Sequence, residues 1–190
     1  MIARCMRFVV LILTLLATAC SELVTNSDLR NSSATGTQLE LRLAAGDKLR
    51  VTVFGEDRLS GEYQIDNSGA ISLPLAGTMK AGGLTNPQLE EAITAQLKAQ
   101  YLRNPKVTVD VVTYRPIYVL GEVQKPGEYP FRSGLNVLSA IAISGGATYR
   151  ANTTKVMIQR SGTNEMTEYP QSPQVMVMPG DVVRIPERYF

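Results

Sequence analysis

The sequence predicts an α+β fold: two small mixed α/β modules set behind a polar leader. Three observations predict it. Short runs with period-two apolar alternation recur from Leu39 onward, separated by Gly, Asn and Pro turn signals. One helix-period stripe, Leu89, Ile93, Leu97 and Tyr101, lies between such runs. A nine-residue pattern near the start of the first module returns near the end of the second.

At the amino terminus, Arg4 and Arg7 are the only charges ahead of Cys20. Between them and the cysteine lie the apolar run from Phe8 to Leu16 and the small residues Ala17, Thr18 and Ala19. A basic start, a short apolar core and a small-residue exit are the parts of a secretory signal peptide. The run is shorter than the roughly 20 residues that a membrane-spanning helix needs. Residues 1–19 therefore read as an export signal, cut between Ala19 and Cys20. Cys5 lies in the removed piece and leaves Cys20 without a disulfide partner. With no histidine in the chain, a metal site there lacks a ligand set. The small-small-Cys exit resembles a bacterial lipobox, whose cysteine is lipidated, although Ala17 stands where leucine is commonest. The other reading is an ordinary signal peptide with a cysteine near the cut. Ser21, rather than aspartate, follows the cysteine, which by the same resemblance implies passage to the outer membrane. Two or three acyl chains would anchor the protein firmly, at about 0.8 kcal/mol per buried methylene.

The chain carries 19 Lys and Arg against 17 Asp and Glu. Both excess bases, Arg4 and Arg7, leave with the signal, so the mature part is balanced. Balance of this kind excludes electrostatic binding to nucleic acid or to an anionic membrane surface as the main function. Tryptophan is absent and aromatics make up 6% of residues, which weakens a sugar groove of stacked rings. Residues 20–38, rich in Ser, Thr and Asn and without apolar period, read as the lipidated N-terminus and a flexible tether. A first strand hidden in this stretch is the alternative.

The first module spans residues 39–113. Leu49-Arg50-Val51-Thr52-Val53-Phe54 alternates as a half-buried strand should. Asp66-Asn67-Ser68-Gly69 is a turn signal, and Ile71, Leu73 and Leu75 alternate after it, so a hairpin is expected there. Next, Thr85 or Asn86 can cap a helix, Pro87 suits its first turn, and Gln88 completes a capping box with Thr85. After Asn104-Pro105, Val107, Val109 and Val111 give another strand. The second module spans residues 114–190. It offers strands at Ile117-Tyr118-Val119-Leu120, Lys155-Val156-Met157-Ile158 and Val182-Val183-Arg184-Ile185. A short helix from about Asn136 to Ser144 is closed by Gly145-Gly146. Strands around one helix at this size suggest a β-grasp.

The echo aligns Leu43-Ala44-Ala45-Gly46-Asp47-Lys48-Leu49-Arg50-Val51 with Val177-Met178-Pro179-Gly180-Asp181-Val182-Val183-Arg184-Ile185. Asp47 and Asp181 are ligands or catalytic acids on one reading. On the other they are structural, glycine supplying an unusual backbone angle and aspartate bonding nearby amides as a strand begins.

Taken in order, these segments resemble the bacterial outer-membrane polysaccharide export lipoproteins of capsule and exopolysaccharide secretion. "LAAGDKLRVTVFGE", "YQIDNSGAISLPLAG", "GLTNPQLEEAI" and "YLRNPKVTVDV" resemble successive blocks of the polysaccharide export domain. "VLGEVQKPGEYPF", "AIAISGGAT", "VMIQR" and "MPGDVVRIPERYF" resemble the soluble-ligand-binding β-grasp domain that follows it. The resemblance implies a translocon component, not an enzyme: a homo-oligomeric ring around a periplasmic passage for a polysaccharide chain, coupled to an inner-membrane co-polymerase. Larger members add further β-grasp domains and a C-terminal amphipathic helix that forms the outer-membrane pore. Only four residues follow Pro186 here, too few to span hydrocarbon. A short member of this kind is expected to hand polymer to a separate outer-membrane β-barrel protein.

Two competing functions are set against this. A glycosidase or lyase needs two facing carboxylates in tuned environments; Glu56, Asp57, Glu62 and Asp66 are the best group, and Glu122 with Glu128 the next. Serine or cysteine chemistry lacks its histidine. The second is a monomeric lipid-anchored module that binds a soluble glycan ligand. No Gly-rich phosphate loop, metal cluster or aromatic platform marks such a site. Tyr63, Tyr114, Tyr118, Tyr129 and Tyr149 are candidates to touch sugar or a neighbouring subunit, or else to pack the modules. The sequence thus assigns no catalytic, metal or cofactor-binding residue; Cys20, with Ala19 at the cut, is the one assigned site.

Overall fold

The computed structural model describes residues 40–188, which form one compact unit. The signal peptide, Ala19, Cys20 and the tether lie outside the described residues.

Two separate apolar cores organise the unit, one built from Leu43 to Val109 and one from Ile117 to Ile185. The first core lies under a three-stranded sheet of order β2-β1-β5, with β1 at Lys48–Val53, β2 at Gly61–Gln64 and β5 at Val107–Thr113. Both outer strands pair antiparallel with β1. Leu49, Val51 and Val53 alternate inward with almost no exposure, as the period of two requires. Helix α1 (Asn86–Gln100) covers this face with Leu89, Ile93 and Leu97. The backbone N–H of Thr85 donates to the Gln88 side chain at 3.0 Å, as a capping box requires. The helix also guards the outer edge of β5. Val109 N–H donates to Glu90 at 2.8 Å, and Asn86 donates to the Val109 carbonyl at 3.4 Å. An edge strand so covered is closed to stray pairing at that point.

Two expectations change here. Turn residues 66–69 join β2 to β3 (Ala70–Leu73), but these strands belong to different sheets. The hairpin forms one strand later, between β3 and β4 (Gly77–Lys80). Leu75 sits in its turn with φ 62° and is exposed, so the alternation of Ile71 and Leu73 does not extend to it. Tyr101 likewise leaves its stripe: α1 ends before it, and its ring is half exposed.

The second core lies under a five-stranded mixed sheet of order β7-β6-β10-β8-β9. Its strands are β6 (Ile117–Gly121), β7 (Gly127–Tyr129), β8 (Lys155–Gln159), β9 (Met166–Pro170) and β10 (Val182–Ile185). The first and last strands, β6 and β10, run parallel at the centre, and every other pair is antiparallel. Helix α2 (Val137–Ile143) crosses one face and buries Val137, Ala140 and Ile141. Asn136 caps it, accepting Ser139 N–H at 2.9 Å. This is a β-grasp arrangement, and the chain as a whole is α+β. The strands β7 and β9 are too short or too polar to stand out in the sequence.

The parallel pair depends on one glycine. Gly121 holds φ +86°, and a Cβ there would sit 2.1 Å from the Ile185 carbonyl oxygen, in backbone that cannot swing aside. Gly121→Ala is therefore expected to lower stability by about 3 kcal/mol or more. Exposed Gly162→Ala, whose Cβ would meet nothing within 4 Å, should cost less, its φ of +83° notwithstanding. Urea unfolding of both variants checks this ordering.

Candidate functional site

The echoed segments are two copies of one structural device. In the first, Gly46 takes φ +92° and turns the chain into β1. The Asp47 carboxylate, with no solvent exposure, folds back: Oδ2 accepts Ala44 N–H at 2.8 Å. The same oxygen accepts Arg115 Nη1 at 2.9 Å, and Oδ1 accepts Arg115 N–H at 2.8 Å. In the second, Gly180 takes φ +80° ahead of β10. Asp181 Oδ2 accepts Met178 N–H at 2.7 Å and Arg160 Nη1 at 2.6 Å, while Oδ1 accepts Ser161 N–H at 3.2 Å. Each buried carboxylate thus meets an amide three residues back, an arginine and one more amide. Hydrogen bonds of this kind offset the cost of removing a carboxylate from water. The geometry supports the structural reading of Asp47 and Asp181.

The two devices meet at the junction of the modules. Arg115 lies in the linker between β5 and β6 and is bound to Asp47 of the first module. Its Nε faces Gly180 of the second, where a Cβ would come within 2.8 Å of it. That Nε is the one buried side-chain nitrogen or oxygen without a hydrogen-bond partner among the described residues. Gly180 N–H donates to the Pro116 carbonyl at 3.0 Å and closes the joint. A cleft of about 230 Å³ opens beside it, lined by Glu40, Arg42, Arg115, Arg160, Ser161 and Pro179 among others. Its cations are already engaged: Arg42 by the Gly83 carbonyl, Arg115 by Asp47 and Arg160 by Asp181. It is built as a joint, with Arg115 and Arg160 each bound to a buried aspartate.

The sequence-picked carboxylates do not converge on a catalytic pair. Glu62 lies on β2 and binds Lys48 and Arg50, each at 2.9 Å. Those two bonds hold its carboxyl below the usual range. Asp66 closes its own turn, with Oδ1 accepting from Ser68 and Ala70, and it too is held low. A general acid for glycoside cleavage needs the opposite shift. Glu122 accepts the Thr148 hydroxyl, and Glu128 is exposed on β7. No group of three or more potential metal ligands exists among the described residues. The tyrosines divide. Tyr63 bonds the Leu59 carbonyl, Tyr129 bonds the Lys125 carbonyl, and Tyr114 meets Phe131 edge-on at 5.5 Å. Tyr118 and Tyr149 face outward; Tyr149 is 83% exposed beside the Arg150–Glu187 ion pair. Arg115 and Arg160 escaped the sequence reading, because nothing local marks an arginine as the partner of an aspartate 68 or 21 residues away.

Two family models match along this framework. The polysaccharide biosynthesis/export protein family matches residues 35–112, and the SLBB domain matches residues 116–169. The two matches run in series along the chain, one on each module. Similar proteins include the exopolysaccharide production protein ExoF of Rhizobium meliloti (strain 1021), 40% identical over 119 residues. That match covers 56% of this chain and 28% of ExoF. The polysialic acid transport protein KpsD of Escherichia coli is 32% identical over 106 residues, covering 55% of this chain and 19% of KpsD. The EPS I polysaccharide export outer membrane protein EpsA of Ralstonia nicotianae (strain ATCC BAA-1114 / GMI1000) is 28% identical over 145 residues, covering 70% and 38%. The chain thus spans well under half the length of each of these polysaccharide export relatives.

Two outcomes are expected of this framework. Asp47→Ala, which strands Arg115 at the joint, should destabilise the protein by about 3–5 kcal/mol, read from urea midpoints. The low carboxyl of Asp66 contributes stability that is fully present above its unfolded value near 3.8. That contribution is lost as pH falls through the lower folded value. Asp66→Ala should therefore unfold more easily than the parent at pH 7, with the gap narrowing by pH 3.

Proposed function

We propose that this protein is a component of a capsular or exopolysaccharide export route, anchored to the outer membrane through lipidated Cys20 and facing the periplasm of a Gram-negative bacterium. Residues 39–113 serve as the polysaccharide export domain and residues 114–190 as the soluble-ligand-binding β-grasp domain. Copies of the chain assemble into a ring around the polymer. The ring receives polysaccharide from an inner-membrane co-polymerase and passes it to a separate outer-membrane β-barrel protein. The role is passage, with no chemical step on the polymer.

The observation that carries this reading is the order of the two family matches along one chain, export domain first and SLBB domain second. The named roles of ExoF, KpsD and EpsA, which concern exopolysaccharide production, polysialic acid transport and polysaccharide export, support the substrate class. The joint between the modules supports it physically. An assembly that encloses a passage needs subunits of fixed shape, and Asp47, Arg115 and Gly180 hold both modules to one linker.

The test combines polymer secretion in two altered strains with the mass of the purified protein. Deleting the gene should abolish surface polymer while leaving polymer inside the envelope, and the parent gene should restore secretion. Cys20→Ser should leave the protein unacylated and secretion strongly reduced. Native mass spectrometry of the lipidated protein in mild detergent should show a discrete oligomer with acyl mass on Cys20. Undiminished secretion in the deletion strain would end the export reading, and a lipidated monomer would end the ring.

A further inference from the structure

We infer that the open face of the five-stranded sheet is a contact surface for a second copy of this chain, with Arg184 of one copy meeting Asp110 of the next. The inference rests on the ring reading above and names its contact.

Helix α2 covers one face of that sheet, and Ile117, Val119, Val156, Ile158, Val183 and Ile185 are buried in the core beneath it. Their alternates must point the other way. Cross-strand register places Tyr118 beside Val182, Leu120 beside Arg184, and Arg184 beside Met157. These residues form a continuous patch on which Tyr118 and Leu120 are each 41% exposed. Tyr, Met and Arg among aliphatics, with Lys and Glu kept to the margin, is the composition of a protein contact core. Tyr118 is the one ring among Leu120, Met157 and Val182, so the patch has no second ring with which to stack a sugar chain.

The echo shows what is missing. Arg50 and Arg184 occupy the same offset after the Gly-Asp turn. Arg50 has a partner within its own sheet, Glu62 at 2.9 Å, which it shares with Lys48. Arg184 has Leu120 and Met157 as cross-strand neighbours, and its guanidinium makes no hydrogen bond or ion pair among the described residues. A bare cation on an apolar apron calls for a carboxylate from outside. The same chain presents one. Asp110 lies opposite Arg50, but that arginine is turned to Glu62, and the Asp110 carboxylate has no partner among the described residues. It lies on the outward face of β5 beside Val112, itself 41% exposed. The outer face of α2 exposes Leu138 and Ile143 but brings no carboxylate. Self-pairing of the five-stranded sheets, Arg184 facing Arg184, would oppose like charges. Arg184 on Asp110 satisfies both sites at once.

The test is a charge swap in the full lipidated chain, extracted in mild detergent and weighed by native mass spectrometry. Arg184→Asp and Asp110→Arg should each weaken association about tenfold or more, shifting the oligomer toward monomer at matched concentration. The double variant should regain it. Both side chains are exposed, so urea midpoints should stay near the parent's and separate lost contact from lost folding. If either single variant keeps the parent oligomer, or the double variant fails to recover it, this contact is wrong while the ring stands. A variant that keeps its oligomer yet loses secretion would assign the face to a different protein and overturn the inference. A monomeric parent would remove the ring reading itself.

Discussion

The structure depends on the burial of two carboxylates at the starts of two strands. An ionised aspartate removed from water is costly unless every lone pair is met. Asp47 and Asp181 meet that demand in the same way, through an amide three residues back, an arginine and a second amide. Because the partners come from distant segments, satisfying the charge also fixes tertiary structure. Asp47 draws in the linker at Arg115, and Asp181 draws in the end of β8 through Arg160. Arg160 also donates to the Met176 carbonyl and lies over the Tyr169 ring at 5.2 Å, which ties β9 to the same knot. One local rule, applied twice, thus orders strands in both modules and the joint between them.

The joint carries a cost that clarifies its role. Arg115 Nε is buried without a partner, an arrangement that loses about 1–3 kcal/mol relative to a satisfied group. The guanidinium keeps this position because its other end is held by Asp47 and its flank by Gly180, where a larger residue would displace it. A linker free to swing would let that nitrogen reach water. Its burial therefore points to two modules that hold one relation to each other.

What was legible in the sequence was whatever is decided locally. The α+β class, the strands β1, β5, β6, β8 and β10, both helices, the capping box of α1 and the glycine pair that ends α2 follow from period and from residues within four positions. Where pairing is non-local, reading failed. Residues 66–69 look like a hairpin turn because Asp66 does organise a turn, yet the flanking strands choose different sheets. Leu75 continues an apolar alternation in letters, but the chain has already begun the β3–β4 turn there. Tyr101 keeps the spacing of four after the helix has ended. The echo was visible and its structural sense could be argued, whereas its arginine partners could not be found, since nothing in sequence distance links residue 47 to residue 115. Cys20, assigned from its flanking residues, lies outside the described part.

The two sheets also differ in what their outward faces present, and this difference follows from the repeat. On the first sheet, Lys48, Arg50, Thr52, Glu62, Thr108 and Asp110 alternate with the buried valines and leucines, so the face is mostly polar, with Val112 at its end. On the second, the equivalent positions around Arg184 are Tyr118, Leu120 and Met157. A mostly polar face of this kind is stable in water. An apolar face around an unpaired arginine loses free energy in water and gains it under protein. The same motif therefore starts strands in both modules, while the residues across from its arginine decide the environment of each sheet.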